Sequence, residues 1–131
     1  MQQIKYIKKS GSRCNSPIIN ILVEGKKLEA RLDTGADITV LPISILKKPL
    51  RLGNPITIRQ ATNIQKVWTY ITTVVLMDTE FILEVLTSEV TTIGLIGLDI
   101  LNHFRVEFLY DTFSIEILEK DCKFIDLRGA Y

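Results

Sequence analysis

Apolar and polar residues alternate along most of this chain, with the period of two that is typical of strands buried on one face. The first two runs place these residues on one face: Ile19, Ile21, Val23, and then Leu28, Ala30 and Leu32. A turn sequence, Glu24-Gly25, separates them. The pattern therefore predicts a hairpin of residues 17–23 and 27–32.

The same reasoning predicts further strands along the chain. They are an edge strand within 2–8, a strand at 38–41, a hairpin of 56–59 and 67–71 around 60–65, a hairpin of 72–77 and 80–86 turning at Asp78-Thr79, a strand at 95–97, a hairpin of 105–110 and 113–118, and a last strand at 123–127. Pro42 favours one helical turn over 43–46, and residues 98–104 favour a short helix. Residues 51–55 are rich in turn-forming types, and we expect an irregular connection there. Trp68 is expected to pack at the base of its hairpin.

Composition agrees with a single β-rich domain. The chain has 131 residues, of which 47% are apolar, and this is enough to bury a core. Sixteen basic residues against fifteen acidic ones give a net charge of +1, which provides no overall field for nucleic acid or anionic membranes. No apolar run reaches membrane-spanning length, and the first residues lack the apolar core of a signal peptide. We therefore expect no membrane association and no secretion by a signal of its own.

The two cysteines, Cys14 and Cys122, lie near opposite ends of the chain. Without an export signal, two unclustered cysteines are expected to be free thiols in a reducing compartment, and a disulfide between them is the alternative. Neither has neighbouring residues suited to a metal site, and no metal is predicted.

The segment Leu32-Asp-Thr-Gly-Ala-Asp-Ile-Thr-Val40 is the strongest chemical signal. It predicts a strand, a tight turn and a second strand, with Asp33 at the turn and Thr34 and Gly35 directly after it. Gly35 allows backbone N–H groups to approach the carboxylate closely. The structural alternative is a simple turn in which Asp33 caps the loop. A carboxylate surrounded by donors on a rigid turn is suited to acid–base chemistry.

Asp33-Thr34-Gly35-Ala36-Asp37 resembles the active-site loop of the retroviral aspartic proteases, the retropepsins. Leu95-Ile96-Gly97 resembles the second signature of that family, and the similarity covers residues 16–108 in order and spacing. The resemblance implies a mostly β fold, a retropepsin-like closed β-barrel with one short C-terminal helix, assembled as a symmetric homodimer. It divides the chain into an N-terminal tail or edge strand (1–15), a protease domain (16–110) and a C-terminal extension (111–131).

The resemblance also implies roles for individual residues. Catalysis would fall to Asp33, Thr34 and Gly35. Substrate binding would involve Arg31, Ala36, Asp37, Ile38, Val40, Ala61, Thr62, Asn63, Ile64 and Ile96. The hairpin around 60–65 corresponds by position to the family's flap, a lid over bound peptide. No cofactor is implied.

Peptide hydrolysis of this kind needs an acid and a base acting together, and two adjacent carboxyl groups that share one proton can supply both. The chain has a single Asp-Thr-Gly, because the other candidates, Asp99 and Asp111, lack the glycine turn. The sequence therefore predicts that two chains each supply Asp33 on a two-fold axis. In retropepsins the termini of the two subunits interleave in a sheet, so the resemblance implies a dimer interface of residues 2–8 with 105–109, or with 123–127 in place of one of them.

Arg31, Leu98 and the flap tip depart from the family pattern, and Ala36 differs from the more distant pepsin-like relatives. Arg31 stands where an apolar residue usually borders the cleft, so it would favour polar or acidic substrate side chains, unless it pairs outward with Glu24 or Glu29. Leu98 replaces the usual arginine partner of Asp37, which leaves Arg13, Arg105 or another subunit as candidates. Ala36 lacks the hydroxyl found in pepsin-like relatives, so optimum activity should shift towards milder acidity. The flap tip has no glycine, although Asn63 can form a turn.

Two functions follow from this interpretation. The first is an aspartic endopeptidase that processes a polyprotein, from a retrovirus, a retrotransposon or a domesticated copy, located in the cytoplasm or within a virion or virus-like particle. The second is a catalytically idle dimer of the same fold that binds peptides or acts only as an interaction module. RNA binding through the N-terminal lysines ranks below both, because no aromatic residues are interleaved with them.

Overall fold

Short strands account for most of the residues described by the computed structural model, which are 2–5, 7–8, 15–47, 51–59, 61–109 and 112–128. The strands are β1 (Gln2–Lys5), β2 (Ile7–Lys8), β3 (Asn15–Ser16), β4 (Ile18–Val23), β5 (Lys26–Leu32), β6 (Val40–Pro42), β7 (Arg51–Arg59), β8 (Ile64–Leu76), β9 (Thr79–Ser88), β10 (Gly94–Ile96), β11 (Phe104–Phe108), β12 (Thr112–Ile117) and β13 (Phe124–Asp126). A 3-10 turn spans Ile43–Ile45, and one α-helix, α1, spans Leu98–Leu101.

Six of these strands close into a barrel. They follow one another in the order β9, β6, β10, β5, β4 and β8, and β8 pairs back with β9. β13 joins β9 in parallel, and β7 joins β8 as an antiparallel arm. Closure leaves no free edge within the ring. The predicted mostly β fold with a closed barrel and one short helix is confirmed.

The barrel interior is filled by the alternating apolar positions. Phe81, Leu83 and Val85 of β9 are fully buried, and the side chains of Ile21 and Val23 of β4 are at most 1% exposed. Burying such side chains is the main favourable term in folding, at about 1.5–3 kcal/mol each. The predicted inward face of the first hairpin is therefore right, with Ala30 and Leu32 of β5 also in this core.

Two turns carry backbone conformations that shape the hairpins. Glu24 and Gly25 have φ angles of 51° and 77°, and they join β4 to β5 as predicted. Met77 and Asp78 have φ angles of 52° and 65°. The second turn therefore lies one residue earlier than the predicted Asp78-Thr79, because Thr79 is buried and already belongs to β9. Consecutive left-handed residues produce the twist that a tight hairpin requires.

The hairpin of β7 and β8 is longer than predicted. Residues 51–55 form the start of β7 rather than an irregular connection, with a register shift between Leu52 and Pro55. A bulge is compatible with Pro55, which has no N–H group to donate to the ladder. β8 is one continuous strand that pairs with β7 along its first half and with β9 along its second half. The two separate strands predicted there are therefore a single element.

The first strand of the described chain joins β11 and β12 in a second, three-stranded sheet. β12 lies in the middle, with β1 antiparallel on one side and β11 antiparallel on the other. Phe113 and Ile115 of β12 are buried and belong to the same core as the barrel. The predicted C-terminal hairpin is confirmed, whereas β13 lies against β9 and outside this sheet.

Candidate active site

Asp33 stands at the end of β5, on a loop that hydrogen bonds hold on both sides. Its N–H donates to the carbonyl of Ile96 in β10 (2.9 Å), and its own carbonyl accepts from the N–H of Ala36 (3.2 Å). The N–H of Gly35 donates to Asp33 Oδ1 at 2.9 Å. Oδ2 has no hydrogen bond to any described residue. One carboxylate oxygen is thus fixed by the loop, while the other is available, and Asp33 is only half-buried.

Helix α1 holds this loop from behind. The N–H of Leu98 donates to the carbonyl of Ala36 (2.8 Å), and the N–H of Asp99 donates to the carbonyl of Asp37 (3.2 Å). Gly97 allows this approach, since a Cβ atom there would lie 2.8 Å from Ala36 O and from Ile38 C. Both contacts are with backbone, which cannot move aside without displacing the loop. The glycine of Leu95-Ile96-Gly97 is therefore required by close packing.

The side chain of Asp99 adds a second brace, which sequence reasoning missed. Its Oδ2 accepts from the N–H of Thr39 (2.9 Å) and its Oδ1 from the Thr39 hydroxyl (2.7 Å). Thr39 is fully buried, and its Oγ1 also accepts from the N–H of Gly97 at 3.2 Å. These hydrogen bonds join residues that are 60 positions apart in the sequence. The only signals in the sequence are an acidic residue in the first turn of the predicted helix and a threonine in the loop after Asp33, and neither indicates that the two are in contact.

The other predicted site residues near the loop have different exposures. Ala36, Ile38 and Val40 are half-buried, whereas Thr34 and Asp37 are exposed. Ile96 is fully buried in the core. In the single chain its side chain is therefore closed to a ligand, and its visible contribution is the carbonyl that holds Asp33.

Arg31 precedes the loop on the face of β5 opposite to Ala30 and Leu32. It is half-buried, its Nε atom is shielded from solvent, and this atom has no hydrogen-bond partner. Within the described residues it forms no ion pair with Glu24 or Glu29. The outward ion pair considered from sequence is therefore wrong.

The hairpin of β7 and β8 carries four further predicted residues at its tip: Ala61, Thr62, Asn63 and Ile64, all of them exposed. The structure describes no hydrogen bond between this tip and the loop of Asp33. Trp68 on β8 is 55% exposed, so its predicted packing role is wrong. The tip and Trp68 are solvent-facing in the single chain.

Neither metal binding nor membrane insertion finds support in the described part of the chain. No three residues among His, Cys, Asp and Glu group closely enough to hold a metal ion. The one α-helix found there is far too short to cross a membrane. Cys122 is a free thiol whose Sγ donates to the carbonyl of Phe124, and Cys14 lies outside the described residues.

Comparison with known proteins gives this geometry a context. A sequence profile described as "Retroviral aspartyl protease" matches residues 13–109. The chain belongs to this family. No curated protein matches the chain over its sequence.

Two solved retroviral proteases share the fold. The solution structure of simian foamy virus (mac) protease matches with a TM-score of 0.52 and 23% identity, over 65% of this chain and 91% of the viral one. EIAV protease in complex with the inhibitor HBY-793 matches with a TM-score of 0.56 and 21% identity, over 73% of this chain and 92% of the other. These similarities establish the retropepsin fold.

Asp37 has a different environment from the one that the family pattern suggests. Leu98 occupies the position of the usual arginine, and the Asp37 side chain makes no contact with a cation among the described residues. Arg105, one candidate partner, pairs with Glu107 at 2.8 Å instead. Arg13 lies outside the described residues. Among the described residues, the side-chain bracing between helix and loop comes from Asp99 and Thr39, in addition to the backbone hydrogen bonds.

Proposed function

We propose that this retropepsin is an aspartic endopeptidase in which two copies of Asp33, one from each subunit of a homodimer, activate water for peptide hydrolysis. One observation carries the proposal. Asp33 is fixed on its loop by Gly35 and by the Ile96 carbonyl, while its Oδ2 remains without a described partner. A positioned carboxylate with one free oxygen is the half of an acid–base pair that a single chain can supply.

The reaction needs both carboxyl groups because one proton must be shared between them. The ionised member accepts a proton from water as the water attacks the scissile carbonyl. The protonated member donates its proton to the carbonyl oxygen, which yields a tetrahedral diol. Collapse of this diol then requires a proton on the leaving nitrogen, and the two groups exchange roles. No metal or covalent intermediate takes part.

The remaining predicted residues would hold the substrate. Gly35 and Asp37 would bind peptide backbone, and Ile38 and Val40 would line apolar pockets. Ala61, Thr62, Asn63 and Ile64 would close over the peptide as a flap. Arg31 is half-buried, and its Nε has no hydrogen-bond partner among the described residues. This supports a preference for an acidic side chain next to the cleaved bond, because a carboxylate there would give the guanidinium a partner.

The decisive experiment is cleavage of a mixed peptide library at mildly acidic pH by the wild-type protein and by Asp33→Asn. The substitution keeps the size of the side chain and removes the carboxylate, so kcat/KM should fall by at least about 10³-fold. Circular dichroism would verify that the variant is folded. Equal cleavage by the two proteins would contradict the mechanism. No cleavage by the folded, dimeric wild type would favour the idle peptide-binding dimer.

A further inference from the structure

Glu84 of β9 is the only buried residue with an ionisable side chain in the part of the chain that the structure describes. Leu83 and Val85 on either side of it belong to the barrel core, so Glu84 lies on the outer face of β9, yet it is only 4% exposed. It forms no ion pair with a described residue. Burying a carboxyl group costs free energy unless hydrogen bonds compensate. Its contacts therefore indicate what this residue, which the proposed mechanism does not use, contributes to the protein.

The contact of Glu84 lies at the base of the arm, which consists of β7 and residues 64–69 of β8. The hydroxyl of Thr69 donates to Glu84 Oε2 at 3.5 Å, and Thr69 is itself 1% exposed. We call this contact the anchor. Residues 64–69 pair only with β7 in the described structure, and pairing of β8 with β9 begins at Tyr70, opposite Val85. Thr69 is therefore the last residue of β8 before the strand enters the barrel wall.

β7 lies against the anchor from the other side. The register of β7 with β8 shifts between Leu52 and Pro55, where β7 has two residues and β8 has only Thr69. The first of these two residues is Gly53. A Cβ atom at Gly53 would overlap Thr69 Oγ1 and would lie 3.3 Å from Cγ and Cδ of Glu84. The β7 backbone reaches the anchor because residue 53 has no side chain, and three strands, β7, β8 and β9, meet at this point.

We propose that Glu84 is a positioning residue for the arm: through the anchor it fixes the base of the arm to the barrel, and this determines how readily the arm closes over a bound peptide. The proposal rests on the proposed function, because it gives the arm the role of a flap. Fixing the base restricts the orientations of the arm in the free protein. Less conformational entropy is then lost when a peptide binds under it.

The anchor needs a hydrogen-bond acceptor rather than a negative charge, because no described cation pairs with Glu84. Glu84→Gln keeps an acceptor oxygen at the same position, whereas Glu84→Leu fills the space and offers none. Thr69→Val keeps the shape of the threonine and removes the hydroxyl, whereas Thr69→Ser keeps the hydroxyl. The two positions therefore give matched pairs of variants that break or preserve the same hydrogen bond.

Hydrogen exchange of the full chain, followed by mass spectrometry, tests the anchor without substrate. In Glu84→Leu and Thr69→Val, the amides of residues 51–59 and 64–69 should exchange about three- to tenfold faster than in the wild type, because a hydrogen bond at the base of the arm is lost. The amides of residues 94–101, next to the loop of Asp33, should exchange at the wild-type rate. Glu84→Gln and Thr69→Ser should resemble the wild type throughout.

Urea unfolding verifies that each variant is folded, and Thr69→Val carries the test if Glu84→Leu does not fold. Unchanged exchange in the arm of the folded variants would overturn the anchor. Exchange that is faster by the same factor in the arm and in residues 94–101 would also overturn it, because that result means a general loss of stability. Equal exchange in Glu84→Leu and Glu84→Gln would show that the acceptor oxygen is not what holds the arm.

Peptide hydrolysis tests whether the anchor serves the active site. Glu84→Leu and Thr69→Val should raise KM about three- to tenfold for the same peptide, with kcat within about twofold of the wild type, because the loop of Asp33 is unchanged. Glu84→Gln should restore the wild-type KM. Faster exchange in the arm with an unchanged KM would overturn the positioning role. Exchange is read without substrate, so matched variants that behave as expected in a protein that cleaves no peptide would contradict the proposed function alone.

Discussion

At the scale of single residues, the loop of Asp33 depends on a carboxylate outside the loop. Asp99 receives the N–H and hydroxyl of the buried Thr39, and Thr39 in turn receives the N–H of Gly97. A buried donor that loses its acceptor destabilises the fold, because no water molecule can reach it to replace the acceptor. Asp99 is therefore a positioning residue for the loop of Asp33.

Asp99→Ala should lower the free energy of unfolding by about 2 to 4 kcal/mol, because two donors of Thr39 lose a charged acceptor. Urea denaturation measures this change. Asp99→Asn keeps one acceptor oxygen and should lose less. If Asp99→Ala unfolds at the wild-type urea concentration, the brace is not structural.

Arg31 offers a prediction about specificity. Its shielded Nε lacks a hydrogen-bond partner in the single chain, so an acidic substrate side chain would gain a charge-assisted bond there. Arg31→Leu should reduce kcat/KM by about ten- to a hundredfold for peptides with Asp or Glu beside the cleaved bond. Profiling on a peptide library measures this, with Arg31→Lys as the charge-retaining control. An unchanged profile would place Arg31 outside the substrate pocket.

At the scale of elements, the end of α1 is tied to the segment after β12. His103 Nδ1 lies 3.0 Å from Glu119 Oε1, and the backbones join through Leu118 and His103. The hydrogen bond from His103 holds the pKa of the Glu119 carboxyl below its usual value of 4.5. Because the pKa of this carboxyl is lower in the folded state than in the unfolded state, the contact stabilises the protein at pH values above the pKa of the unfolded state.

The contact between His103 and Glu119 should therefore have a pH-dependent effect. Above about pH 4.5, Glu119→Gln should be less stable than the wild type, and the difference should disappear as the pH falls through the lowered pKa of Glu119. Urea unfolding across this range measures it. Glu89→Gln, at an exposed carboxylate without a described partner, is the matched control. If the difference in stability between Glu119→Gln and the wild type were the same at all pH values, the charge of Glu119 would not contribute to the stability that the contact provides.

The sequence predicted which segments form strands more accurately than it predicted which strands pair with each other. The hairpin of β4 and β5 and the turn at Glu24-Gly25 follow from local alternation and turn chemistry, and they were predicted correctly. The start of β7 was not predicted correctly. Residues 51–55 are of turn-forming types, but in the structure they pair with β8 as a strand. Trp68 was predicted to pack at the base of the hairpin rather than to contact substrate, yet it is exposed on the part of β8 that pairs with β7.

At the scale of the whole molecule, the proposed mechanism makes activity a property of two chains, because each chain carries a single Asp33. Subunits of the wild type and of Asp33→Asn should exchange, because the substitution keeps the size of the side chain and changes no other residue. In an equimolar mixture, half of the wild-type subunits would sit in heterodimers with one carboxylate, so activity per wild-type chain should fall to about half. A mixture that keeps full activity, at concentrations where sedimentation shows exchange, would contradict a shared site.

By itself, the sequence determined the alternation of apolar residues that builds a β-barrel, the tight turn at Asp33-Thr34-Gly35, and the presence of a single Asp-Thr-Gly per chain. These are local or countable properties, set by side-chain period and by residue types at adjacent positions. Only the tertiary structure decided that β10 lies parallel to β5, that Asp99 reaches Thr39, and that β12 separates β1 from β11. Such pairings join residues far apart in the chain, and the apolar surface that they bury together selects them from many locally acceptable alternatives.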